Sequence, residues 1–236
     1  MTVMALIFRI VLGIHIIAGA TALLVFWVPL VTRKGGRTHR RAGWVYVIAA
    51  AIVALTGMAS AGRLTVDESR PYAWRAGLFL VYVGFFAAES ALLGVRALRP
   101  QTRAQRVQNA IDLVPPLLLV GGGVALAVFG VCHARLLFVL FAALGVGQGV
   151  LHLRSWFTQR KDRDGRLLAH LTAMGTSCIT TLTAFVVVNA PRLGMRTFDA
   201  RLWAVPIVVL GVGLGTVRRY YAKRFARGSS PSESSD

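Results

Sequence analysis

Thr32-Arg33-Lys34-Gly35-Gly36-Arg37-Thr38-His39-Arg40-Arg41 packs five basic residues into ten and stands between two long apolar stretches, Val3 to Leu30 and Ala42 to Ala61. The same alternation continues along the chain. Further apolar stretches run from Trp74 to Leu98, Ile111 to Val131, Arg135 to Leu153, Leu168 to Ala190 and Leu202 to Val217. At ~1.5 Å of rise per residue these are the lengths of helices that cross ~30 Å of hydrocarbon. The expected fold is therefore all-α, a polytopic bundle of seven transmembrane helices.

The basic residues orient that bundle. Nineteen of the 27 Lys and Arg fall after every second stretch, in Thr32 to Arg41, Arg96 to Arg106, Arg154 to Arg166 and Arg218 to Arg227. The other faces hold eight, from Arg9 to Arg201. The positive-inside rule then puts the amino terminus outside and the carboxyl terminus in the cytoplasm, as in a multi-pass protein of a bacterial inner membrane. With 56% apolar and 15% charged residues and a mean hydropathy of +0.62, a soluble domain is excluded. The net charge of +18 is spread over four loop edges, where it serves orientation and contact with anionic lipid, so nucleic acid is not an expected partner. Residues 1–227 read as one membrane domain and residues 228–236 as a disordered cytoplasmic tail rich in Ser. Cys132 and Cys178 fall at different depths and are not expected to pair.

Depth along the helices sorts the polar residues. His39, Asp112, His152 and His170 all lie near the cytoplasmic boundary. Deeper lie Glu89 in the third stretch and His15 in the first. Ionisable groups cost about 2.5 to 3.5 kcal/mol inside a bilayer on insertion scales, so they are expected to face the bundle interior. Glu89 is the most costly acid and a candidate proton relay, or else a hydrogen-bonded structural group beside Tyr82. His133 belongs to the outer face.

His170, Met174, Ser177 and Thr181 recur at helical spacing and draw a polar stripe. Gly145, Gln148, Gly149 and His152 draw another, whose small residues admit a neighbouring helix or a flat ligand. Gly19, one turn from His15, offers room for a macrocycle or ordinary packing. Pro115 and Pro116 followed by Gly121-Gly122-Gly123 predict an irregular fourth helix beside a cavity.

The segment Leu12-Gly13-Ile14-His15-Ile16-Ile17-Ala18-Gly19, with Arg33-Lys34-Gly35-Gly36-Arg37-Thr38-His39-Arg40-Arg41-Ala42-Gly43, resembles the opening of an uncharacterised bacterial multi-pass membrane family, a domain of unknown function. The segment His170 to Asn189 is similar to that family's closing helix pair. The resemblance implies fold and location and no activity.

Two chemistries match the residue types. Haem-bearing membrane cytochromes hold iron between histidines at matched depth, and His152 with His170 is the pair expected to do so, with His15 and Met174 as further cofactor contacts. Met58 shares the depth of His15 and offers either a weak second ligand or, as is usual for Met in an apolar helix, core packing. A zinc-dependent membrane hydrolase would use His39, His152, His170 and Asp112, although the seventh helix lacks a histidine. The leading expectation is a redox protein that binds haem b or a transition metal and meets a redox partner or membrane complex. The alternatives are the zinc hydrolase, a proton-coupled small-solute transporter and an assembly scaffold without catalysis. Phosphate-binding and nucleophile-elbow motifs are missing from the sequence, and no catalytic residue is assigned.

Overall fold

The computed structural model describes residues 3–66, 72–99, 110–157 and 162–228. Seven helices long and apolar enough to cross a membrane account for them, with no strand among the described residues. The first span is α1, Val3–Val25, followed by the short α2, Trp27–Val31. Pro29 has no N–H to offer the carbonyl of Val25, and the break falls between the two pieces at Phe26. A turn with Gly35 at φ 76° then leads into α3, Arg37–Thr65, and Gly is the residue that takes this conformation without strain. The remaining spans are α4, Ala73–Arg96; α5, Ala110–Cys132; α6, Leu136–Phe157; α7, Arg163–Asn189; and α8, Ala200–Gly228. A 3₁₀ turn, Ala190–Leu193, follows α7.

Several helices run beyond the apolar stretches into basic sequence. Thus α3 begins five residues before Ala42 and α8 continues past Val217 through Arg218, Arg219, Lys223 and Arg224. Arg and Lys are good helix formers, and their long stems carry the charge away from an apolar surface. Pro115 and Pro116 do not interrupt α5. The Ser-rich tail lies outside the described residues from position 229.

Helix α4 is the hub, and glycine spacing gives it distinct faces. Gly77 and Gly84, seven residues apart, admit α3: a Cβ on Gly77 would stand 2.7 Å from the Ala61 carbonyl, and one on Gly84 would stand 2.7 Å from Met58 Cγ. Gly94 admits α7 through the sulfur of Met174. A third face meets α5 and α6, which pair closely with each other where Gly149 abuts the Pro116 carbonyl at 2.9 Å from its hypothetical Cβ. Helix α1 lies on α3, and α8 lies on α7.

Contacts between the start of α3, the end of α4, the starts of α5 and α7 and the end of α6 put these termini at one end of the bundle, the basic end. At the other end an aromatic core joins α4, α6 and α8. Phe79 stacks on Phe138 at 4.9 Å between centroids and meets Phe141 and Trp203 edge-on at 5.2 Å each. Apolar side chains such as Ile17, Leu55, Val128, Val188 and Val212 stand exposed around the outside, as a lipid-facing surface requires.

Candidate functional site

Tyr82, Glu89 and Arg96 recur every seven residues on α4 and therefore share one face, spread over ~21 Å of helix. That face looks at α5 and α6. At the basic end, Arg96 forms a two-pronged ion pair with Asp112 of α5, the Nη2 to Oδ2 arm being 2.6 Å and the Nε to Oδ1 arm completing it. Two turns deeper, Glu89 is 1% exposed and His152 of α6 is 6% exposed, so this ionisable pair is shut off from solvent. His152 Nδ1 donates to Glu89 Oε1 at 2.5 Å. Gln148, one turn along α6, donates from Nε2 to Glu89 Oε2 and reaches Ser90 Oγ at 2.9 Å. Ser90 spends its own hydrogen on the Phe86 carbonyl at 2.8 Å.

Both carboxylate oxygens of Glu89 therefore accept a hydrogen bond, and His152 keeps Nε2 for exchange. Two turns deeper again, the Tyr82 hydroxyl donates to the Leu119 carbonyl at 3.1 Å. The ring occupies a slot between helices that exists only because positions 123 and 145 lack side chains, since a Cβ at either would run into the Tyr82 hydroxyl. Beyond Tyr82 lies the aromatic core around Phe79. The result is a polar column that descends from the basic end and stops against packed rings.

The expected residues distribute themselves around this column. His152 and His170 both reach α4, but on different faces: His152 meets Glu89, whereas His170 Nδ1 donates to the carbonyl of Gly94 at 2.7 Å. Residues 89 and 94 are about 140° apart around a helix, so each of these histidines has its own partner. The neighbour of His170 is His39, with ring centroids 6.5 Å apart. Met174 lies a turn deeper on α7 with its sulfur against Gly94. The rest of the α7 stripe bonds to α3, Ser177 and Thr181 meeting the buried hydroxyl of Tyr46 at 2.8 and 3.2 Å. Asp112 is engaged by Arg96, and no three His, Cys, Asp or Glu side chains gather as a metal centre among the described residues.

His15 donates from Nδ1 to Thr56 Oγ1 at 2.9 Å, because Thr56 has already given its hydrogen to the Ile52 carbonyl at 2.6 Å. The glycine that clears its ring is Gly57 on α3, not Gly19, whose hypothetical Cβ meets only Val53 at 3.9 Å. Met58 turns instead toward Gly84. His133, at the end away from the column, stacks on Phe129 at 4.1 Å. Cys132 and Cys178 are both free thiols. A partly open cavity of about 170 Å³ borders α4, α6, α7 and α8 rather than α5, with Phe86, Phe141, Thr180 and Trp203 in its wall.

No protein-family model, curated protein or solved structure matches the chain. The chemistry of the site accordingly rests on its own residues.

Proposed function

We propose that this chain is a multi-pass protein of the bacterial inner membrane that takes protons from the cytoplasm into the bundle through the α4–α5–α6 column, with Glu89 as the terminal acceptor. The observation that carries this reading is the buried pair of Glu89 and His152, in line with Arg96–Asp112 above and Tyr82 below. A proton arriving at Nε2 of His152 makes the ring an imidazolium. The Nδ1 proton then passes across the 2.5 Å contact to Glu89 Oε1, leaving a neutral imidazole and a neutral acid. Once the proton has arrived, imidazolium and carboxylate are paired, and the transfer leaves two neutral groups in the low-dielectric interior. Gln148 and Ser90 hold the carboxyl in place for it. The packed rings at the other end keep the column one-sided in this conformation, as proton-coupled transport requires.

A redox role with haem or a transition metal is the second reading, and the approach of His39 to His170 is what favours it. For the zinc hydrolase, His39, His152, His170 and Asp112 do not gather into one cluster among the described residues.

A pH dye in weakly buffered solution around the detergent-solubilised protein tests the first reading. After an acid pulse the wild type should take up more protons than Glu89→Gln, by about one per chain, the proton that the carboxylate accepts. Equal uptake by the two would overturn it.

A further inference from the structure

His39 stands in the first turn of α3 and His170 in the second turn of α7, their rings 6.5 Å apart and inclined at 64°. Neither ring is free to turn. His39 Nδ1 bonds the carbonyl of Pro29 at 3.1 Å, and His170 Nδ1 bonds that of Gly94 at 2.7 Å. A carbonyl only accepts, so each Nδ1 must carry the hydrogen and each Nε2 keeps its lone pair. One nitrogen tied to a backbone carbonyl and the other left as a donor of electrons is the way proteins prepare histidine to ligate a metal.

The spacing narrows the choice of ion. Two imidazoles bound through Nε2 at about 2.0 Å place their centroids about 5 Å apart at a tetrahedral angle and about 6 Å apart when they oppose each other across the ion. The observed centroid separation of 6.5 Å is compatible with the opposed arrangement after a small closure. Tetrahedral zinc wants three or four protein ligands, and no such cluster forms among the described residues. Two neutral donors at this spacing suit instead a monovalent d¹⁰ ion, for which two-coordination is ordinary.

The charge around the pair points the same way. Arg37, Arg40 and Arg41 share the turn of His39, and Lys34 Nζ bonds the same Pro29 carbonyl at 2.7 Å, with partial burial pulling its amine below the usual lysine range. A single positive charge is repelled half as strongly there as a divalent one. The thioether of Met174, a soft donor, sits one turn deeper on the same face of α7, beside the backbone that anchors His170.

We propose that His39 and His170 form a two-histidine copper(I) site at the basic end of the bundle. It is separate from Glu89 and His152, and goes beyond the proton-uptake reading.

The test titrates the full-length protein, purified in detergent under reducing conditions, with Cu(I) against a chromophoric Cu(I) chelator. One equivalent should bind to the wild type. His39→Gln and His170→Gln keep a polar side chain at each position, and each should weaken binding about tenfold or more. Equal weakening is not expected for His15→Gln, His133→Gln or Glu89→Gln, so loss of proton uptake in the last variant and loss of copper in the first two report on different claims. X-ray absorption of the loaded protein should show two nitrogen neighbours. The proposal is overturned by substoichiometric Cu(I), by full binding in both histidine variants, by tighter Zn(II) binding at the same residues, or by a Soret band that depends on them.

Discussion

At the scale of single residues, the deep end of the column depends on an atom that is missing. A Cβ at Gly145 would fall on the Tyr82 hydroxyl and come within 2.8 Å of its Cζ, and the ring has no space to retreat between α5 and α6. Gly147, two residues on, has nothing within 4 Å of the same hypothetical atom. Gly145→Ala should therefore destabilise the bundle by about 1 to 3 kcal/mol through overpacking. Gly147→Ala should be neutral or stabilising by up to about 1 kcal/mol from helix propensity. Thermal unfolding of the two variants in one detergent checks this, and equal midpoints would remove the slot from the account. The pairing of residues was the part least legible in the sequence. Rise per residue gives the depths of Glu89, His152, His170 and His39, but the direction each faces depends on which helices become neighbours. His152 and His170 flank one loop and so suggest each other, yet both turn to α4, on separate faces. The seven-residue recurrence of Tyr82, Glu89 and Arg96 was the available signal for the column.

At the scale of elements, α8 is the most weakly held span. Val205, Val208, Val209 and Val212 face outward, whereas Trp203 is 3% exposed and inserts between Phe79 and Phe141, its Nε1 donating to the Thr197 carbonyl at 2.8 Å. In lipid, burial next to protein gains packing rather than escape from water, so one large anchor matters more than the apolar length of the helix. Trp203→Ala should cost on the order of 2 kcal/mol, the packing and cavity part of the value known for soluble cores, and should speed proteolysis of the α7–α8 connection. Unchanged cleavage in Trp203→Ala would mean that α8 is held elsewhere. The elements themselves were legible because continuous apolar runs of this length have few other structural solutions. Their ends were not, since hydropathy stops at the basic residues while helical hydrogen bonding continues through them, as in α3 and α8. The polar stripe on α7 was legible as a face but not as a bond to Tyr46, because its partner lies 131 residues away for Ser177.

At the scale of the whole molecule, the account needs the basic end to face the cytoplasm, which is the side from which protons would enter. By the positive-inside rule, nineteen of 27 basic residues on alternate loops predict that orientation, so a reporter fused after Arg227 should read cytoplasmic and one inserted beside Asp67 periplasmic. The opposite result would reverse the direction of uptake. The central claim is that a proton taken up by the bundle comes to rest on Glu89. Infrared difference spectra of the membrane-embedded protein between high and low pH measure this most directly, because a carboxyl group that gains a proton shows a C=O stretch that the carboxylate lacks. The account predicts such a band in the wild type and in Asp199→Asn, whose acid is exposed at the other end of the bundle, and its disappearance in Glu89→Gln. A carboxyl spectrum that is the same in the wild type and in Glu89→Gln would contradict it.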